Sequence, residues 1–243
     1  VAQFDPILGK IVHAPHLARF YDFPDPMDAP DFAPLASGGD LSEDCLLSAY
    51  SAGIFPWFSE DEPILWWSPN PRAVLDPREV RVQKSIKPYL KRYDVKFDAN
   101  FKGFIERCKD VRKKESDGTW ISEQIVQAYS RLAADGYAHS VEAYEDGELV
   151  GGLYGLIFGR VFCGESMLSL KSNASKVALI RLCEVLVNFG FLIDCQIMNE
   201  HLKFMGAKEM PRAEFLALFA ELSVQDSGFE RFADLKAPRG AQH

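Results

Sequence analysis

The chain has 243 residues, 47% hydrophobic and 26% charged, with 27 Lys plus Arg against 35 Asp plus Glu for a net charge of −8. This composition suits a globular protein with a sizeable core, and the negative balance argues against broad, non-specific nucleic-acid binding. No apolar run reaches membrane-spanning length, and the N-terminal stretch lacks the basic-then-apolar pattern of a secretory signal.

Residues 1–35 set Pro24, Pro26, Pro30 and Pro34 among acidic and aromatic residues, which reads as an extended, irregular segment. After Gly38-Gly39-Asp40 a helix is expected. Ser42 can cap it, Glu43 and Asp44 suit its positive end, Tyr50 lies on its apolar face, and Gly53 can stop it. Residues 64–67 and 73–75 read as short strands, the second entering a second domain, so the chain divides into 1–70 and 71–243. Between Arg78 and Lys114 stand thirteen Lys or Arg against five Asp or Glu, a local balance of +8 that leaves −16 for the remainder. Such a run is either a solvated helix face or a stripe facing a polyanion, and both readings stand at this point.

Phe101, Phe104, Ile105 and Cys108 follow helical spacing, as do Ile125, Val126, Tyr129, Leu132 and Ala133 up to Gly136. Residues 140–144, 148–157 and 161–167, separated by Asp146-Gly147 and Phe158-Gly159-Arg160 turns, form an expected antiparallel meander. A helix over 174–189, a strand over 191–197 and a helix over 211–222 with Pro in its first turn complete the pattern. The expected fold is α+β: a small N-terminal α/β domain, then a mostly antiparallel sheet flanked by helices. Cys45, Cys108, Cys163, Cys183 and Cys195 are scattered and odd in number, which suits reduced thiols and a cytoplasmic location.

No phosphate loop, dinucleotide fingerprint or Gly-x-Ser-x-Gly elbow is present, and the five histidines lack metal-ligand spacing, so no metal or cofactor is expected. Asp194 and Gln196 would share one face of a strand, with Cys195 turned away. Apolar Leu192, Ile193 and Ile197 imply that Asp194 is buried and partnered, either to tie down a loop or to serve a substrate. Glu165, in a strand otherwise built of Phe162, Cys163 and Met167, is either ion-paired, for instance with Arg160, or used. Leu179, Leu182 and Leu186 recur at helical spacing and by themselves read as core.

Three stretches are more specific. They are Gly38-Gly39-Asp40-Leu41-Ser42 with Gly53-Ile54-Phe55-Pro56-Trp57-Phe58 and 64–72; Gly118-Thr119-Trp120-Ile121 with 136–142; and 151–155 with Phe162-Cys163-Gly164-Glu165-Ser166-Met167, Asn173-Ala174-Ser175-Lys176 and 192–196. Together, from about Gly38 to Arg212, they resemble the leucyl/phenylalanyl-tRNA–protein transferase family. The resemblance implies transfer of Leu or Phe, and Met less well, from aminoacyl-tRNA to the α-amino group of proteins beginning with Arg or Lys, which marks them for N-degron degradation. It also implies an N-acetyltransferase-like second domain, no cofactor and no membrane; the chain is expected to be a monomer.

The resemblance further assigns catalytic or orienting roles to Asp194, Gln196 and Glu165, with Asp194 expected to orient the Gln196 amide. It makes Leu153, Phe162, Gly164, Met167, Leu179, Leu182, Leu186 and Ile193 the aminoacyl pocket. Leu182 and Leu186 stand where phenylalanines are usual, which should widen the slot. Trp57 and Trp120 are candidates to stack on the terminal adenine, and Lys84, Lys87, Lys91 and Arg92 to meet tRNA, with Pro88 replacing a further cation. Two rivals remain. An acyl-CoA N-acyltransferase would need a Gln/Arg-x-x-Gly-x-Gly/Ala loop, which is not found. A non-enzymatic tRNA-binding module would need the cations but not Asp194, Gln196 and Glu165 together.

Overall fold

A computed structural model describes residues 3–5, 10–12, 21–115 and 121–237. Strands β1 (Gln3–Asp5) and β2 (Lys10–Val12) pair antiparallel, where an irregular segment was expected. Residues 21–35 follow that expectation apart from one 3-10 turn at Pro26–Asp28. After β3 (Ala36–Ser37), the Ser42 side chain accepts the Cys45 N–H and opens α1 (Glu43–Ser51), whose first turn holds Glu43 and Asp44. Gly53, just past the helix end, takes φ +74, a left-handed conformation open to glycine, and a Cβ there would sit 2.5 Å from Leu216. Strands β4 (Phe55–Pro56) and β5 (Leu65–Trp67) join β3 in a small antiparallel sheet of order β3-β5-β4.

The remaining strands form one seven-stranded sheet. In chain order they are β6 (Arg72–Leu75), β7 (Asp94–Phe97), β8 (Ala138–Glu145), β9 (Glu148–Phe158), β10 (Val161–Ser169), β11 (Leu192–Gln196) and β12 (Lys208–Met210). Their spatial order is β12-β6-β11-β10-β9-β8-β7, and every pairing is antiparallel except β10 with β11. Helices α2 (Lys87–Arg92), α3 (Phe101–Glu115), α4 (Glu123–Ala134), α5 (Ala174–Leu186), α6 (Glu200–Met205) and α7 (Arg212–Leu222) flank it, giving a mixed α+β architecture. Strands β7 and β12 and helices α2 and α6, each six residues or fewer, are too short to leave a periodic signal of their own.

Two-residue alternation divides the core. Tyr154, Leu156 and Cys163 pack with Leu46, Ile54, Ile105, Tyr129 and Phe215, so the segment around α1 shares one core with α3, α4 and α7. Leu153, Phe162 and Ile193 face the other way, against Leu90 of α2 and the apolar side of α5. Among the described residues no helix is long and apolar enough to cross a membrane.

Candidate active site

Strands β10 and β11 stay in parallel register only from Val161 opposite Leu192 to Cys163 opposite Asp194. Beyond that point each strand slips against its other neighbour. Register shifts between Gly164 and Ser166 in β10, and between Asp194 and Gln196 in β11, where Gln196 takes φ +63. Such bulges re-aim side chains. Where the pairing stops, a cavity of about 720 Å³ opens, and Gly164, Glu165, Cys195 and Gln196 are in its wall. The expected alternation holds: Asp194 and Gln196 meet Arg72 and Glu165 on one side, Cys195 packs with Ile193 on the other, and the cavity touches both Cys195 and Gln196 because the strands part there.

Asp194 is 1% exposed, and so is Arg72 at the start of β6. Arg72 meets it with both arms, Nε donating to Oδ1 at 2.8 Å and Nη2 to Oδ2 at 2.7 Å. The Arg72 Nη1 donates to the Gly53 carbonyl at 3.2 Å, and the guanidinium carbon lies 4.8 Å and 4.5 Å from the ring centres of Phe55 and Phe215. Each buried charge compensates the other where water cannot. Asp194 Oδ1 also accepts the backbone N–H of Gln196 at 2.9 Å, so the pair anchors the bulge that presents Gln196.

From there the Gln196 Nε2 donates to Glu165 Oε1 at 2.8 Å, and the Tyr129 hydroxyl donates to Glu165 Oε2 at 3.3 Å. The hydroxyls of Tyr50 and Tyr129 are 2.6 Å apart. A hydrogen-bonded chain thus runs from Arg72 through Asp194, Gln196, Glu165 and Tyr129 to Tyr50. Glu165 lies deep but keeps part of its surface open to the cavity. Burial pushes its carboxyl up from 4.5 to about 7; the Asp194 charge adds to this, and hydrogen bonds from Tyr50, Tyr129 and Gln196 oppose it. A carboxyl poised there can take or give a proton near neutrality. The expected alternative, an ion pair with Arg160, is not formed: Arg160 Nε donates to the Asp226 carbonyl at 2.8 Å, on the far side of the β9–β10 turn.

Of the eight residues assigned to the pocket, Leu153, Phe162, Gly164, Met167, Leu179 and Ile193 line the cavity. Leu182 and Leu186 do not; both are fully buried in the core beside α5. They lie three and seven residues beyond Leu179, about 4.5 and 10.5 Å further along the axis, while only the first turns of α5 reach the rim. Gly155 lets the sheet close behind this wall, because a Cβ there would come 2.7 Å from the Phe162 ring. Sequence reading missed the second wall, where Ile197, Met198 and Leu202 follow Gln196.

Trp57 lines the cavity with 43% of its surface exposed, its ring 5.2 Å from that of Trp67. Trp120 lies outside the described residues. Lys84 and Lys91 are exposed and Lys87 half-buried, and none has an ion-pair partner among the described residues. Arg92 pairs with Glu145, whose other oxygen meets Lys171 Nζ at 2.5 Å, and the Tyr93 hydroxyl donates to the Ser172 carbonyl at 3.0 Å. The C-terminal end of α2 therefore abuts the loop leading to Asn173, Ser175 and Lys176 on the cavity rim. Arg72 was visible within the specific stretches, and Tyr50 and Tyr129 on the apolar faces of their expected helices, but none carried an assigned role. For Arg72 the signal was the demand of a buried Asp194 for a counter-ion.

A family model described as leucyl/phenylalanyl-tRNA protein transferase matches residues 74–220, and one described as its N-terminal domain matches residues 39–70. A curated leucyl/phenylalanyl-tRNA–protein transferase of Campylobacter lari is 50% identical over 209 residues, covering 86% of this chain and 95% of its own. One of Syntrophobacter fumaroxidans is 54% identical over 190 residues, 77% and 81% of the two chains. One of Aromatoleum aromaticum is 50% identical over 229 residues, 92% and 96% of the two.

Proposed function

The chain belongs to the leucyl/phenylalanyl-tRNA–protein transferase family, and from that premise we propose that it moves an apolar aminoacyl group from tRNA to the N-terminus of an acceptor protein. The donors are Leu and Phe, with Met used less well; the acceptors begin with Arg or Lys; the product is marked for N-degron degradation in the cytoplasm. An N-acetyltransferase-like architecture goes with this reading, supported by the parallel β10–β11 pair that opens around the cavity.

The chemistry needs alignment and the handling of one proton. The neutral α-amine attacks the ester carbonyl, a C–N bond forms, the ester C–O bond to the ribose breaks, the nitrogen loses a proton and the departing ribose oxygen gains one. Alignment alone can contribute about 7–11 kcal/mol. An α-amino group with a reference pKa of about 8 is partly neutral in the cell, so a modest base suffices. Glu165, raised to about 7, is that group, receiving the amine's proton. With its Nε2 committed to Glu165, Gln196 offers its Oε1 to the incoming amine. Asp194 acts behind it, holding the Gln196 backbone. The wall of Leu153, Phe162, Met167, Leu179 and Ile193 takes the apolar side chain, Trp57 stacks on the terminal adenine, and Lys84, Lys87, Lys91 and Arg92, in and just ahead of α2, meet the tRNA backbone.

The observation that carries this reading is the Gln196–Glu165 hydrogen bond set in the wall of a largely apolar cavity. Incubation with labelled Phe-tRNA tests it, against peptides beginning with Arg or Ala and beside labelled acetyl-CoA. Label should pass from Phe-tRNA to the Arg peptide. Label arriving from acetyl-CoA, or tRNA bound without transfer, would contradict it.

A further inference from the structure

Helix α6 leaves the cavity wall and turns an aromatic ring outward. The Asn199 side chain accepts the Leu202 N–H to open the helix, and Gly206, at φ +107, ends it. Leu202 and Met205 are buried, so Lys203 and Phe204 between them face solvent. The helix end is held closely. A Cβ at Gly206 would come 2.5 Å from the Glu79 carbonyl, and the Arg81 N–H donates to the Met205 carbonyl at 2.9 Å. Among the described residues three large aromatic side chains are exposed: Phe32, Trp57 and Phe204. Trp57 lines the cavity. Phe204, 41% exposed, stands beside its rim, because Lys176 is in the cavity wall and places its Nζ 5.0 Å from the Phe204 ring centre. The Gln83 Nε2 donates to the Phe204 carbonyl at 3.5 Å, which ties α6 to the turn carrying Lys84. A single exposed ring is ordinary on a protein surface, but this one is set among cations. Arg81, Lys84, Lys176 and Lys203 have no ion-pair partner among the described residues. Against them stand Glu200, one turn earlier in α6, and Glu79, already paired with Lys208 at 2.6 Å.

Resting on the transfer reading above, we propose that Phe204 is a platform for the donor's unpaired 3′ end. A base one or two nucleotides before the terminal adenosine stacks on its ring, and Lys176 and Lys203 meet the phosphates between. The surface lies between the cavity rim, at Lys176 and Leu202, and Lys84 at the start of the cationic stripe. An RNA strand running from one to the other crosses it. Stacking needs only a flat apolar face, so one exposed ring serves for any base. The competing occupant is the acceptor chain beyond its first residue. Its leading Arg or Lys brings positive charge towards a surface already rich in cations, whereas phosphates are attracted there.

The test is Phe204→Ala, measured for KM with Phe-tRNA and with an Arg-initiated peptide. Beside these stands the Kd of amide-linked phenylalanyl-adenosine, which lacks the preceding nucleotides. KM for Phe-tRNA should rise about tenfold, the loss of one stacked base, while the other two constants stay within about twofold. The melting temperature should stay level, because the ring is at the surface. Phe204→Tyr keeps a stacking face and should keep the wild-type KM. Lys203→Ala should lower the salt slope of Phe-tRNA binding by about 0.7, the value of one phosphate on a single strand. An unchanged KM for Phe-tRNA, an equal loss with the adenosine compound, or a rise confined to the peptide would each overturn the assignment. So would a loss that follows a lower melting temperature, a tenfold loss in Phe204→Tyr, or an unaltered slope in Lys203→Ala. A wild type that transfers nothing from Phe-tRNA fails the parent reading itself, and this inference with it.

Discussion

A carboxyl held near neutrality by its surroundings has two pH signatures, and Glu165 should show both. Transfer measured in a single turnover with saturating donor should rise with pH through about 7, as the carboxylate that accepts the proton becomes populated. Glu165→Gln should lose that inflection and lower the rate far more than it lowers stability. For stability the sign is opposite. Because the folded carboxyl titrates at about 7 and the unfolded one near 4.5, the folded chain retains a proton between those values that the unfolded chain has released. Its contribution is complete below the lower value and is lost as pH rises through the upper one, so the Gln variant should show a flatter stability profile over that window. Asp194 behaves differently. Asp194→Ala strands the buried Arg72 guanidinium and is expected to cost roughly 3–5 kcal/mol of folding stability along with transfer. Gln196→Ala, which breaks a single side-chain hydrogen bond, should lose transfer with a small change in denaturation midpoint. Urea titration beside the transfer assay separates the two.

Helix α5 carries two roles along one apolar stripe. Leu179 lines the cavity, whereas Leu182 and Leu186 fill the core. Leu179→Ala should therefore change the ratio of Leu to Phe transferred. Leu182→Ala should cost about 2–5 kcal/mol of stability and leave that ratio unchanged. Competition between the two aminoacyl-tRNAs, with a melting curve for each variant, checks both. Helix α2 is read by salt. Each phosphate met by the helix or by the turn leading into it should add about one unit to the slope of log affinity against log salt, so removing Lys84 ahead of the helix and Lys91 within it (Lys84→Ala with Lys91→Ala) should flatten the slope by about two. An unchanged slope would return these lysines to an ordinary solvated face.

At the scale of the whole molecule, the parts of the site written in consecutive residues were legible. The α1 cap at Ser42, the β8–β10 meander and the burial of Asp194 all follow from local pattern and polarity. What joins distant segments was not. Arg72 and Asp194 are 122 residues apart, and Tyr50 meets Tyr129 across 79. In each case a side chain that reads locally as strand or helix face takes its role from a remote partner. The bulge at Glu165 breaks the periodicity on which sequence reading depends. Leu182 and Leu186 share their spacing with Leu179, so periodicity cannot tell core from cavity wall. Arg212 likewise was only a helix-start residue in the sequence. In the fold its two terminal nitrogens donate to the Ser68 and Ala29 carbonyls, both at 2.6 Å, and pin the 27–31 and 68–70 segments behind Arg72.

A second cavity, between the 21–27 segment, α1 and α7, is also largely apolar and offers a rival place for a ligand. The decisive measurement is therefore a crystal structure with a non-hydrolysable phenylalanyl-adenosine, amide-linked in place of the ester. The phenyl ring should lie among Leu153, Phe162, Met167, Leu179 and Ile193, the adenine against Trp57, and the amide carbonyl carbon within reach of an amine held by Gln196 and Glu165. Density for the compound in the cavity beside Tyr21 and Leu216, or with its phenyl ring turned away from α5, would contradict the account.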